Sequence, residues 1–71
     1  MGEKIRDLQK VILKNTEIII ELNEGQSEYD GYDIHIETNK LRLALNDNDY
    51  MKFAFVVSEA KRKLIITKDK E

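Results

Sequence analysis

His35 is the only imidazole in the chain, and it stands between carboxylates two residues away on either side, Asp33 and Glu37. Residues two apart share a face of a strand, so this trio could tune a general base. An ordinary surface histidine among carboxylates has the same pattern, and nothing else in the chain completes a catalytic set. Ser27 and Ser58 lie in no nucleophile elbow, and there is no glycine-rich loop of the kind that cradles phosphate. Cysteine is absent, and one histidine cannot supply the nitrogen and sulfur ligands that usually hold zinc. A calcium loop centred on Gly31 would draw on Glu28, Asp30 and Glu37. Gln26 then falls where the first carboxylate belongs, and the residues after Gly31 read as strand where that loop needs helix. We therefore expect no enzymatic activity, no metal and no cofactor.

Charge is distributed unevenly. Residues 1–14 hold four bases against Glu3 and Asp7, residues 15–50 hold nine acids against Lys40 and Arg42, and residues 51–71 hold six bases against three acids. The formal net charge of -2 thus conceals an acidic middle between two basic ends. Glu21, Glu24, Glu28, Asp30 and Asp33 fall in one stretch without a base, with Tyr29 and Tyr32 interleaved. A one-signed patch steers association and aromatic residues supply contact energy, so this stretch is a candidate docking surface for a basic partner protein. The plainer alternative is a solvated loop and strand edge. Nucleic-acid binding would have to use Lys52, Lys61, Arg62, Lys63, Lys68 and Lys70. It is opposed by a pI near 5.4 and by the lack of any recognition motif.

The elements that must position these residues follow from alternation. Tyr32 to Leu45 reads as a hairpin. With Thr38 and Asn39 as its loop, Ile36 faces Leu41 and Ile34 faces Leu43, leaving Asp33, His35, Glu37, Lys40 and Arg42 on the opposite face. Threonine suits positive φ poorly, so a four-residue loop is the alternative. Residues 9–23 pass the same test with Asn15 and Thr16 as loop, Leu13 facing Ile18 and Val11 facing Ile20. The rival there is an N-terminal helix through Ile5, Leu8 and Ile12. Residues 46–49, Asn-Asp-Asn-Asp, are helix-capping types. They predict a helix from about Asp47 to Leu64 with Tyr50, Phe53, Ala54, Val57, Ala60 and Leu64 on one face. A third hairpin, Met51 to Val57 with Lys63 to Thr67, is the rival, and Ser58 to Arg62 lacks the turn residues it needs.

These elements give an α+β fold class, a small antiparallel sheet of three or four strands in two hairpins with a C-terminal helix packed on one face. The 71 residues are read as a single small globular domain. A domain of about 60 residues buries only roughly 60% of the surface its unfolded chain exposes, and no disulfide is available, so a homo-oligomer is a live expectation. On the helix wheel Met51 and Phe55 lie nearly opposite the packed face, which makes them the candidate apolar interface for dimerisation or for anchoring a partner. The longest apolar run, Phe53 to Val57, falls far short of the roughly 20 residues of a membrane span, and the N-terminus is not a signal peptide. A soluble, cytoplasmic protein is expected. In size and charge alone, the chain looks like small acidic proteins carried by bacteriophages, among them inhibitors of host defence such as anti-CRISPR proteins. That likeness implies a non-enzymatic protein-binding module or inhibitor. The alternatives are a self-associating assembly protein and a weak nucleic-acid binder.

Overall fold

Four β-rich runs and one capped helical run become four strands and one helix in the computed structural model, which describes residues 3–25 and 31–70. The strands are β1 (Lys4–Ile12), β2 (Glu17–Glu24), β3 (Tyr32–Glu37) and β4 (Arg42–Asn46), and the helix is α1 (Asp47–Asp69). The sheet is an antiparallel meander in the order β1-β2-β3-β4, and α1 packs against it through β3 and β4. No helix among the described residues is long and apolar enough to cross a membrane.

Both hairpins close with four-residue loops, and each register is two residues away from the two-residue-loop alignment. Val11 faces Ile18 in place of Ile20, and Ile36 faces Leu43 in place of Leu41. Thr38 supplies the physical reason. Its Oγ1 accepts hydrogen bonds from the Lys40 and Leu41 amides, each at 3.1 Å, while its own amide donates to the Leu41 carbonyl at 2.9 Å. A threonine that closes a loop in this way needs no positive φ. In the first loop the Leu13 amide donates to the Thr16 carbonyl at 2.8 Å, and the Thr16 hydroxyl donates to Asn39 Oδ1 at 2.6 Å, joining the two loops. A slip of two residues preserves which side chains share a face. Val11, Ile18, Ile20, Leu22, Ile34, Ile36, Leu43 and Leu45 accordingly share one face, and Glu21, Asn23, Asp33, His35, Glu37 and Arg42 share the other.

The segment carrying Ile5, Leu8 and Ile12 is strand, and its helix-like spacing is absorbed by irregular pairing. The register shifts between Lys4 and Arg6 and again between Asp7 and Gln9, leaving Ile5 and Leu8 as extra residues. Lys4 and Asp7, three apart, can then share a face, and their side chains meet at 2.8 Å. Bulges of this kind also blunt the exposed edge that β1 forms.

Asn46 caps α1, its Oδ1 accepting from the Asp49 amide at 2.8 Å, with Asp47 and Asp49 in the first turn and Lys68 in the last. Acids and bases are thereby matched to the ends of the helix dipole. Asp47 also anchors the helix start to the sheet, accepting from the Tyr32 amide at 3.3 Å. A Cβ on Gly31 would meet the Asp47 carboxylate, which would have to turn aside from its bond to the Tyr32 amide to make room. The helix runs five residues past Leu64 and takes in Ile65, Ile66 and Thr67. The helix packs on the sheet as expected, but shallowly, with Tyr50 and Ala54 half-buried. No α1 residue is buried, and Ile34, 4% exposed, is the one buried apolar residue among the described residues.

Candidate interaction surfaces

The polar face of the sheet is paired within itself. Glu21 is buried beside Lys4, whose Nζ lies 3.7 Å from it, and Asn23 and Asp33 are buried on the neighbouring central positions. Hydrogen bonding to Asp7 comes first among the influences that hold Lys4 above its ordinary pKa of 10.5, with the Asp7 and Glu21 charges adding and desolvation opposing. Glu37 lies diagonally across from Glu21. Hydrogen bonding with Glu21, then desolvation and the Glu21 charge, raise the Glu37 carboxyl above its ordinary 4.5, against the pull of Arg42 and His35. Arg42 closes the group, its Nε 3.5 Å from Glu37 and its Nη2 2.7 Å from His35 Nδ1. A guanidinium only donates, so Nδ1 is the acceptor and is occupied. His35 is thus held by a cation. Among the described residues no group of three histidine, cysteine or acidic side chains is placed to hold a metal ion.

Of the acidic docking set, Glu21 and Asp33 are therefore buried, Glu24 and Tyr32 are exposed, and Glu28, Tyr29 and Asp30 lie outside the described residues, as does Gln26 of the calcium-loop pattern. Among the described residues of the set, only Glu24 and Tyr32 are open to a partner. Alternation explains the difference: Glu21 and Asp33 sit on central strands whose neighbours cover them, a placement that a count of charges along the chain does not reveal.

The apolar face is open instead. Between it and α1 lies a groove of about 510 Å³ lined by Ile18, Ile20 and Ile36 from the sheet and Phe53, Ala54 and Val57 from the helix. Met51 and Phe55, on the far side of α1, are 67% and 65% exposed. Their exposure does not single them out, because Phe53, Val56, Val57, Leu64, Ile65 and Ile66 are exposed as well. A helix of 23 residues is about 34 Å long, whereas the six-residue β3 against which it packs spans about 20 Å.

The dimensions agree. Accessible area is 6042 Å², against about 4,600 Å² for a compact monomer of this mass, and the radius of gyration is 14.6 Å against about 11 Å. The excess, roughly 1,400 Å², falls within the 1,000–2,500 Å² per partner typical of obligate homodimers. No protein-family model, curated protein or solved structure matches the chain.

Proposed function

We propose that this protein works by association, without catalysis, as a self-associating protein whose contact surface is the uncovered apolar face of α1 and the sheet. The observation that carries the proposal is the pairing of a single buried apolar side chain among the described residues, Ile34, with an area excess in the range of a homodimer interface. Exposed apolar patches of this extent mark interaction sites. Docking of a basic partner on the acidic stretch has less support, since Glu21 and Asp33 are not available at the surface. Nucleic-acid binding rests only on Lys52, Lys61, Arg62, Lys63, Lys68 and Lys70, and the acidic middle of the same chain opposes it at long range.

Sedimentation equilibrium of the unmodified chain tests the proposal. The expected mass is that of at least two chains, each 8.3 kDa, and a single-chain mass at every concentration would overturn it.

A further inference from the structure

Building on this self-association, we infer that the second copy docks helix to helix, the two α1 segments running antiparallel about a two-fold axis level with Ser58 and Glu59. Tyr50, Phe53, Val57, Ala60, Leu64 and Thr67 follow one another at steps of 3, 4, 3, 4 and 3, the spacing of a coiled-coil seam sustained over the whole helix. Tyr50 is half-buried and Phe53, Val57, Ala60, Leu64 and Thr67 are all exposed in the single chain, so the chain's own sheet leaves most of the seam uncovered. A seam of this kind is covered by another helix, and the one helix available to every copy is α1 itself.

Charge decides the direction. Asp47 and Asp49 flank the seam at its start, and Lys61, Lys63, Lys68 and Lys70 flank it toward its end. Parallel helices would bring the lysines of one copy against those of the other, which is disfavoured at flanking positions. Antiparallel helices set Asp47 beside the partner's Lys68 and Asp49 beside the partner's Lys70. The same alignment puts Phe53 against the partner's Leu64, Val57 against the partner's Ala60 and Tyr50 against the partner's Thr67. Every pair shares one axis, so the contact is self-complementary and closes as a dimer. Phe53 and Val57 also line the groove beside the sheet, so the partner's Leu64 end covers the open side of that groove.

The chain lacks cysteine, so single cysteines carry spin labels without interference. Labels would be placed in separate variants at Asn48, Arg62 and Asp69, all exposed and off the seam. With a rise of about 1.5 Å per residue, the antiparallel pair separates the two labels along the axis by roughly 10 Å at Arg62 and by roughly 32 Å at both Asn48 and Asp69. One short distance flanked by two long, matching ones is the expected result. Ala60→Glu, at an exposed position that does not line the groove, should raise the dimer dissociation constant at least about a hundredfold by setting an unpaired carboxylate against the partner's Val57 on each side of the axis. A dimeric parent with three similar distances, or an Ala60→Glu variant that dimerises as well as the parent, overturns the helix pairing and leaves self-association standing. A monomeric parent overturns both.

Discussion

The centre of the sheet and the helix represent opposite solutions to the problem of a small chain. At the centre, β2 and β3 bury Ile34 on one face and Glu21, Asn23 and Asp33 on the other, so that even the charged residues there are enclosed. In α1 no residue is buried, although the helix carries both phenylalanines and both of the chain's Ile65–Ile66 pair. Apolar content and burial are thus separated in this molecule. The sheet spends its polar residues on internal pairing, and the helix presents its apolar residues outward. What the contrast teaches is that the centre of the sheet is enclosed by the chain itself, whereas the helix is left to find its cover in the association proposed above.

Substitutions can break the comparison at either end. Ile34→Ala strikes the one enclosed apolar side chain and should lower stability by about 2–5 kcal/mol in urea unfolding. Leu64→Ala, at a position 58% exposed, should cost the single chain almost nothing. It should instead weaken the dimer by about 2–4 kcal/mol, because two copies of the side chain lose cover, which dilution of the variant would reveal as dissociation at higher concentration. If Leu64→Ala and Ile34→Ala had the same effect at every concentration, the distinction between the regions would fall.

Asn46→Ala sits where the two regions join. Loss of the cap on the Asp49 amide should cost about 1 kcal/mol and lower helix content first, which circular dichroism would register. The smallest effect belongs to Glu37→Gln on the polar face. Glu21 raises the Glu37 pKa, so the folded chain holds that proton more tightly than the unfolded chain does. The resulting stabilisation is complete below pH 4.5 and is lost as pH rises through the raised value. Relative to the parent, Glu37→Gln should therefore gain stability as pH rises from 4.5 toward neutrality. Parallel stability curves for the two proteins across that range would show that Glu21 does not act on Glu37.

Much of the fold was legible from alternation. The faces of both hairpins, the cap at Asn46 and the helix from Asp47 follow from residue pattern, because pattern reports which side chains share a face. Register was less legible, since a slip of two residues preserves every face and only the hydrogen bonds of Thr38 decide between the alternatives. Ile5, Leu8 and Ile12 kept a helical rival open for a related reason: two bulges in β1 give a strand the three-residue spacing of a helix. The candidate site was least legible. Glu21 and Asp33 looked available because their charge was counted along the chain, yet their enclosure depends on which strands flank them. The face from Phe53 to Leu64 looked internal because amphipathic faces usually are, yet Phe53, Val57, Ala60 and Leu64 are all exposed.

The central claim is that one copy is an incomplete structure, its stability inseparable from its association. Thermal unfolding of the unmodified protein, followed by circular dichroism across a wide dilution series, tests this most directly. Folding coupled to dimerisation predicts a midpoint that climbs steadily with chain concentration. A midpoint that stays constant across the series would mean that the single chain is stable with its helix uncovered, and the account would be wrong.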